Sequence, residues 1–485
     1  MISSGIYFFV DHMVSGLYQA ILRSVAGKFS SYIVQFLFLV IYARIFTPEQ
    51  FGVLASIQVF VLFFQLLSNM GIGPAIINEE NFNTKQRDGV FTVTLLLGAT
   101  LSSFFYFSSH YFKLIYTDLD LSELIPIVSI SIFFNTIAIV PVTSFNKDAK
   151  FITIAKIEAI SEIISFFVVY SLYKLSFGVI ALAARNLSFS AIKFVFLWLL
   201  SNKTTLGRCK FGSEIRHFLK IAKFAGYQFA FNLINYFSRN LDTILIAKYF
   251  GVVSLGVYDK AYQLMRYPLQ LTTFAMTPAI QPTLTKVRND KNVIIKEHNK
   301  LAQRLMFLSV LISTFIFFNS KSIVLILFGP QWSSVASLIE IFSFMIPIQS
   351  VLSTSGAFFQ VMNRPDLLFI TGVISAFFNV IAIVIGIYFG DLRLLAIMLC
   401  VSFLINFIQC YYILFKRCFN ATSRGFYTNI LKSILFAMIL SMIYYFISYC
   451  LDFEKFNIYL SFIVNLSMAG LVVVAFKNKI EELLL

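Results

Sequence analysis

The feature that most constrains this chain is a succession of apolar runs separated by short polar connections. Each run is about 20 residues long, which is the length that an α-helix needs to cross the hydrocarbon core of a bilayer. The chain is 59% hydrophobic and only 13% charged, with a mean hydropathy of +0.82. A soluble chain of 485 residues cannot bury that much apolar surface. The sequence therefore predicts an integral membrane protein.

The length rule predicts about fourteen transmembrane helices, so the predicted fold class is an all-α polytopic membrane protein. The predicted spans cover residues 29–46, 51–77, 89–111, 123–145, 157–174, 177–200, 221–249, 255–284, 303–328, 334–361, 367–389, 392–415, 429–450 and 457–476.

The connections alternate in charge along the chain. One set is rich in lysine and arginine, as in residues 201–223 and 285–303, whereas the other set is short and poor in positive charge, as in residues 47–50 and 250–255. Basic loops face the cytoplasm in membrane proteins. This rule places both termini in the cytoplasm. It also explains the net charge of +15 without a nucleic-acid partner.

Two segments of the chain repeat each other. Residues 41–76 and 245–280 align without a gap at a constant offset, so that Ala43 meets Ala247 (247 − 43 = 204) and Gly52 meets Gly256. The offset corresponds to six predicted spans, an even number, so the two halves have the same orientation. Parallel repeats of this size are typical of transporters.

The repeat predicts a domain organisation in four parts. Residues 1–200 form an N-terminal six-helix lobe and residues 201–220 a cytoplasmic linker. Residues 221–415 form a second six-helix lobe, and residues 416–485 add two C-terminal helices.

Polar side chains recur at helical spacing inside several spans and fall on one face of each helix. A charge that faces lipid costs about 2.5–3.5 kcal/mol, so we expect these faces to line a shared polar cavity. The alternatives are pairing along one helix and polar contacts between helices. The stripes consist of Gln228, Asn232, Asn235, Arg239 and Asp242, their repeat counterparts Ser24, Lys28, Ser31 and Gln35, and Asp259, Tyr262, Arg266 and Gln270.

Further charges lie in the fifth span, at Glu158 and Glu162, and in the sixth span, at Arg185 and Lys193. Arg185 and Lys193 add to the cations near the predicted cavity. The simpler interpretation is that Glu162, on the neighbouring span, pairs with Lys193 or Arg185.

The sequence offers no pattern for a metal, a cofactor or an extramembrane enzyme. The five cysteines form no CxxC pair and the four histidines are isolated from one another. No loop is long enough to fold as a catalytic domain. We therefore predict no catalytic residues, no metal site and no cofactor beyond a coupling ion.

Three segments resemble a known family. They are residues 41–53 (IYARIFTPEQFGV), 235–258 (NYFSRNLDTILIAKYFGVVSLGVY) and 261–269 (AYQLMRYPL). They resemble the polysaccharide exporters, the Wzx-type lipid-linked oligosaccharide flippases of the multidrug/oligosaccharidyl-lipid/polysaccharide superfamily, and most closely the colanic-acid-exporter branch. The resemblance covers essentially the whole chain. It implies two six-helix lobes in a V and transport by alternating access.

The resemblance also implies a substrate and a location. The substrate would be an undecaprenyl-pyrophosphate-linked oligosaccharide, moved from the cytoplasmic to the periplasmic leaflet of a bacterial inner membrane. Lys28, Arg239 and Arg266 would bind the pyrophosphate, with Arg185 and Lys193 nearby. Asp242 and Asp259 would be candidates for coupling to H⁺ or Na⁺. Membrane lipids, a polysaccharide polymerase and its chain-length machinery would be the partners.

Two other functions remain open at this point. One is a multidrug or other small-molecule exporter of the same fold. The other is a membrane polysaccharide polymerase or glycosyltransferase. The acidic cluster of the predicted outer loops at residues 118–123 is short, which argues against the enzyme.

Overall fold

A computed structural model of the chain describes residues 32–69, 72–79, 82–108, 111–116, 119–148, 150–270, 273, 280, 284–450 and 457–479. Within these ranges it describes the backbone alone at residues 74, 75, 78, 113, 219–232, 234, 235, 238, 239, 286, 448 and 450.

Helices account for most of the described chain. They are α1 (Tyr32–Ile45), α2 (Pro48–Asn69), α3 (Ile72–Asn78), α4 (Thr84–Ser108), α5 (Phe112–Ile115), α6 (Leu124–Ile137), α7 (Ile139–Lys147), α8 (Phe151–Lys174), α9 (Gly178–Leu200), α10 (Arg216–Leu269), α11 (Lys291–Leu327), α12 (Val335–Ser343), α13 (Met345–Val361), α14 (Pro365–Tyr388), α15 (Leu392–Ile413), α16 (Arg424–Cys450) and α17 (Ile458–Ala475).

The described helices confirm the prediction of an all-helical, multi-pass membrane protein. Ten helical stretches, one of which joins α6 and α7, are long and apolar enough to cross a bilayer, and the bent pair α12–α13 makes an eleventh span. Each of the predicted spans overlaps a described helix. The count by length and composition is lower than about fourteen. One reason is that α1 is short; another is that α8 carries several charges, and a third is that α10 is one helix across two predicted spans.

The same break interrupts the helix in both repeats, by different chemistry. In the first repeat, Thr47 separates α1 from α2. Its hydroxyl accepts from the Gln50 backbone N–H at 3.3 Å, while the Gln50 side chain accepts from the Thr47 N–H at 3.0 Å. This reciprocal pair is a capping box that begins α2. In the second repeat, the equivalent residue is Gly251 (251 − 204 = 47), with φ 81° and ψ 171°. Only glycine adopts that conformation readily, so Gly251 breaks α10.

The two repeats meet through backbone contacts that are related by the same offset. The backbone carbonyl oxygen of Val252 lies against Gly52, at the place where any other residue would have its Cβ atom. The carbonyl oxygen of Pro48 lies against Gly256 in the same way. Since 48 + 204 = 252 and 52 + 204 = 256, each contact is the repeat image of the other. A side chain at either glycine would overlap the facing backbone.

The chain divides into two compact units: one is Ile33–Asp259, and the other comprises Lys260–Leu485 together with Met1–Tyr32, of which the structure describes Tyr32. The division falls inside α10, whereas the sequence placed its boundaries at residues 201–220 and at residue 416. The predicted four-part organisation therefore stays a prediction.

The unit Lys260–Leu485 has an aromatic core that includes the C-terminal helices. Rings of Phe358, Tyr411 and Phe426 surround the buried His298 with centroids 4.7–5.5 Å from the imidazole. Asn319 of α11 donates to the Tyr444 hydroxyl of α16 at 2.9 Å and accepts from Asn465 of α17 at 3.2 Å. These polar contacts fix α16 and α17 to the rest of the unit.

The segment between α9 and α10 is held against the unit Ile33–Asp259 by hydrogen bonds. Asp88, in the first turns of α4, accepts from the Lys210 N–H at 2.9 Å, and Thr92 accepts from the Gly212 N–H at 2.8 Å. Asp148, directly after α7, accepts from the Thr205 N–H at 2.9 Å and from its hydroxyl at 2.5 Å. The predicted linker is therefore anchored to the ends of two helices over much of its length.

Two groups at this anchored segment have shifted pKa values, Asp148 on the helix side and Cys209 in the segment itself. Burial raises the pKa of Asp148, but hydrogen bonds from Thr205 and Lys150 outweigh that effect and hold its pKa below the ordinary value. Burial raises the pKa of the Cys209 thiol to about 12. The backbone carbonyl of Cys209 accepts from the Trp198 indole N–H at 3.0 Å.

Replacing Gly52 with alanine is expected to lower the apparent melting temperature of the purified protein. Overpacking costs about 1–3 kcal/mol, and the new methyl group would overlap the Val252 carbonyl. Gly470→Ala is the matched control, because Gly470 lies in α17 with open space beside it. That change is expected to stabilise the helix by about 0.5–1 kcal/mol. Equal melting temperatures for the two variants would contradict the close approach.

Cys209 offers a direct test of linker anchoring. In a protein whose other four cysteines are replaced by alanine, a water-soluble maleimide should modify Cys209 slowly at pH 7.5, because only the thiolate reacts. Asp148→Asn weakens the anchor at Thr205 and should accelerate labelling about tenfold, if local opening becomes about 1.4 kcal/mol easier. Mass spectrometry measures the rate. Glu123→Gln, on another connection, should leave the labelling rate unchanged. Fast labelling of Cys209 in the protein that keeps Asp148 would disprove the anchoring.

Candidate functional site

Several residues of the predicted cavity lie outside the described part of the chain. Ser24, Lys28 and Ser31 precede it, and the side chains of Gln228, Asn232, Asn235 and Arg239 are not described. Their assignment to the cavity stays a prediction. Gln35, on α1, is exposed.

The stripe of the eighth predicted span lies on the less buried side of α10. Asp259, Tyr262 and Gln270 are partly exposed and Arg266 is exposed. The opposite side of the helix packs inward through Ala261, Leu264, Met265 and Leu269. Tyr262 also makes an edge-to-face contact with Phe342, at 5.7 Å between ring centroids. The structure thus brings these four polar residues to one accessible face, while their role in binding stays a prediction.

Asp242 is a buried carboxylate that bridges the break in α10. It accepts from the Tyr258 hydroxyl at 2.5 Å and from the Thr243 N–H at 2.7 Å, and both of these donors are neutral. Asp242 precedes Gly251 and Tyr258 follows it, so the bond between their side chains joins the two parts of the helix. The assignment of Asp242 to ion coupling stays a prediction.

The charges of the fifth and sixth predicted spans form an ion pair between α8 and α9. Arg185 donates from Nε and Nη2 to one oxygen of Glu162, at 2.8 and 2.6 Å. Glu162 is 4% exposed, whereas the Arg185 side chain is 33% exposed. The Arg185 guanidinium also lies 5.2 Å from the centroid of the Tyr42 ring on α1, within the range of a cation–π contact. The sequence left two possible partners for Glu162, Lys193 and Arg185, and the structure pairs it with Arg185.

A second ion pair lies further along the same two helices. Lys193 donates to Glu158 at 2.6 Å, and both side chains are about a quarter exposed. Eight residues of α9 separate Arg185 from Lys193, which places their backbones about 12 Å apart along the helix axis. Two carboxylates of α8 therefore face two cations of α9, and the four charges sum to zero.

Uncharged polar groups extend this arrangement to α2. Asn186, next to Arg185, donates to the Gln58 side chain of α2 at 2.8 Å. Between α8 and α9, the hydroxyl oxygens of Ser165 and Ser188 lie 2.7 Å apart. We call Glu158, Glu162, Arg185, Asn186 and Lys193 the α8–α9 polar cluster.

Sequence reasoning found the charged members of this cluster but missed its member Asn186 and the adjacent Tyr42. Asn186 follows Arg185 in the sequence and was a readable signal for an interhelical hydrogen bond. Tyr42 offered no signal, because the chain has 23 tyrosines and 58 phenylalanines, most of them in apolar runs.

The chemistry of the α8–α9 polar cluster suits anions. Arginine presents a planar fork that binds phosphate or carboxylate through two hydrogen bonds, and lysine offers a point charge. In the present structure both basic groups are bound to glutamates. Among the residues that the structure describes, no group of three or more histidines, cysteines or acidic residues is placed to hold a metal ion.

Sequence comparison connects the chain with proteins of polysaccharide biosynthesis. The profile of the family described as "Polysaccharide biosynthesis protein" matches residues 41–337. The Teichuronic acid biosynthesis protein TuaB of Bacillus subtilis is 22% identical over 309 residues, which are 64% of this chain and 63% of TuaB. This match thus spans less than two thirds of TuaB. The Lipopolysaccharide biosynthesis protein WzxC of Escherichia coli is 21% identical over 79% of this chain and 78% of its own.

Comparison of folds leads to the transporters. The lipid II flippase MurJ, in an inward-closed conformation, superimposes with a TM-score of 0.74. The match covers 95% of this chain and 100% of the MurJ chain at 16% sequence identity. At that identity the likeness establishes the all-helical, two-lobe transporter fold and nothing about the substrate.

The ion pair of Arg185 with Glu162 can be tested by a double-mutant cycle. Arg185→Met leaves the buried Glu162 carboxylate without its cation. Breaking a buried pair costs about 3–5 kcal/mol, and we expect the lower end because Arg185 is one-third exposed. Arg185→Met/Glu162→Met should recover most of the lost apparent melting temperature, since no isolated charge remains. Glu162→Met completes the cycle, and a loss in the double variant equal to the sum of the two single losses would show that the two residues do not stabilise each other.

Proposed function

The chain belongs to the polysaccharide biosynthesis protein family, and on that premise we propose that it is a flippase for a lipid-linked oligosaccharide. It moves an undecaprenyl-pyrophosphate-linked repeat unit of an O-antigen, a capsule or an exopolysaccharide from the cytoplasmic to the periplasmic leaflet. It acts as a transporter and catalyses no covalent change in the substrate.

The family match carries this proposal. It covers residues 41–337, a region that includes the α8–α9 polar cluster and the polar face of α10. The relatives TuaB and WzxC are named for the biosynthesis of teichuronic acid and of lipopolysaccharide, both of which are surface glycans. A fold shared with the lipid II flippase MurJ suits the transfer of a glycan on a lipid carrier.

The basic groups inside the spans are suited to the anionic head group of such a carrier. A pyrophosphate offers several oxygens to arginine forks and lysine ammonium groups. We assign head-group binding to five residues in the spans, which are Lys28, Arg185, Lys193, Arg239 and Arg266. The polyprenyl tail stays in the hydrocarbon core, so the protein needs to shield only the polar part of the substrate.

Transport by alternating access requires a contact that closes one side of the protein. In the orientation predicted from the loops, the beginning of α2 and the break in α10 lie on the periplasmic side. The reciprocal contact of Gly52 and Gly256 would then close the periplasmic ends of these helices. Opening to the periplasm separates them.

Further parts of the proposal concern location and coupling. The protein lies in the inner membrane of a bacterium, with both termini in the cytoplasm. Asp242 and Asp259 are candidates for coupling transport to H⁺ or Na⁺. A polysaccharide polymerase and its chain-length machinery receive the product.

The two alternative functions have less support. A multidrug exporter is compatible with the fold, since MATE transporters share it, but not with the family match. Basic groups in the spans also suit an anion better than a cationic drug. A polymerase or glycosyltransferase would change the substrate covalently, so mass spectrometry of the lipid-linked glycan after incubation with the protein distinguishes that function.

A leaflet assay tests the proposal. Proteoliposomes containing a fluorescent undecaprenyl-pyrophosphate-linked oligosaccharide are treated with a quencher that cannot cross the membrane. Without flipping, only the outer half of the fluorophore is quenched, whereas an active flippase exposes the inner pool as well. Arg266→Gln should slow this exposure about tenfold or more, because a hydrogen bond to a charged group contributes about 1.5–3 kcal/mol.

Lys174→Gln is the matched control for that assay. It removes a cation from the exposed end of α8, where Lys174 lies 5.6 Å from the Tyr170 ring centroid, and should leave flipping unchanged. Full activity of Arg266→Gln would reject its assignment to the head group. If only half of the fluorescent lipid is quenched in proteoliposomes that contain the unmutated protein, the proposed function is wrong.

A further inference from the structure

The basic groups of the α8–α9 polar cluster are already occupied. Nε and Nη2 of Arg185, the edge of the guanidinium that would hold a phosphate, both donate to Glu162 Oε1. The Lys193 ammonium is 2.6 Å from Glu158. An anionic head group can bind this edge of Arg185 only after Glu162 has moved away. It can take the place of Glu158 beside the Lys193 ammonium only after Glu158 has moved away.

A glutamate displaced from its cation cannot remain charged at this place without a large cost. Glu162 is 4% exposed. A buried carboxylate without a partner is strongly disfavoured, and such groups become neutral instead. Glu158 is more exposed, at 28% of its side chain.

The other basic side chains on the neighbouring helices α1 and α8 that the structure describes are Arg44, Lys156 and Lys174, and all three are exposed. From α1, Tyr42 faces Arg185 with its ring. From α2, Gln58 is bonded to Asn186, and Glu49 lies in the first turn. No titratable side chain occurs in α6. Lys147, the charged residue of α7, donates to the Ile76 and Glu79 carbonyls.

We propose that Glu158 and Glu162 are proton-binding sites whose protonation is linked to binding of the anionic head group. The inference rests on the proposed function, in which Arg185 and Lys193 contact that head group. Binding breaks two ion pairs, and each freed carboxylate takes one proton from water to form a carboxyl group. When the anion leaves, the protons are released and the ion pairs form again. The empty protein thereby keeps no uncompensated cation at these positions.

This linkage has a definite sign. Because the bound state holds more protons than the empty state, the affinity for the anion rises as the pH falls through the range in which the freed carboxyl groups titrate. Replacing both glutamates by glutamine removes the internal competitors and the proton sites together. The double variant should bind the anion more tightly and lose the proton uptake.

Calorimetry on the full-length protein in lipid nanodiscs tests this inference, with farnesyl pyrophosphate as the probe. Titrations at pH 7.5 in buffers of different ionisation enthalpy give the number of protons taken up per probe bound. We expect about two protons for the unmutated protein, one for each carboxylate. Glu158→Gln/Glu162→Gln should take up about two fewer and bind within the usual range of coupling, about 5- to 150-fold tighter.

Glu340→Gln is the matched control, because Glu340 is a carboxylate in another span that accepts from the Ser320 hydroxyl at 2.8 Å. Its proton count should equal that of the unmutated protein. Proton uptake that is zero, or equal in the unmutated protein and the double variant, overturns the inference and leaves the proposed function standing. Failure of the unmutated protein to bind the probe overturns the head-group assignment and this inference together. If the double variant does not fold, the unmutated protein and the two single variants decide the question.

Discussion

The structure depends on one constraint, which is that a charge inside an apolar helix needs a partner. Water in the membrane interior is too scarce to solvate an isolated ion. The two ion pairs between α8 and α9 meet this requirement, and the buried Asp242 meets it with a tyrosine hydroxyl and a backbone N–H. Away from the spans, the same requirement anchors the connection after α9, where Asp88 and Asp148 accept backbone N–H groups. Polar contacts thus fix positions that apolar packing alone leaves free to slide or rotate.

The helices of this fold were predictable because the length and polarity of each run decide whether it crosses the membrane. The break at residues 47 and 251 was predictable as a loop, but not in its chemistry. A capping box at Thr47 and a glycine at position 251 solve the same problem differently. The division inside α10 had no signal in the sequence, since residues 252–269 continue a regular helical pattern across it.

The candidate site was predictable only in part, for a physical reason. Periodicity shows which residues share a face of one helix, but packing determines which neighbouring helix that face meets. The glutamates of α8 and the cations of α9 were identifiable, and Glu162 with Arg185 was one of two possible pairs. The pairing of Lys193 with Glu158 and the position of Tyr42 depend on the rotation of α8, α9 and α1 about their axes. The fold is shared with a lipid II flippase and with a MATE transporter, so the fold alone does not identify a substrate.

The paired contact of Gly52 with Val252 and Gly256 with Pro48 is self-complementary, because each side presents the same positions to the other. Contacts of this kind arise between two copies of one chain around a true two-fold axis. In a homodimer a single substitution would alter both sides of such a contact at once, whereas in one chain each side is encoded separately and can change alone. The two glycines here are alike, but the residue that faces them is a valine in one contact and a proline in the other.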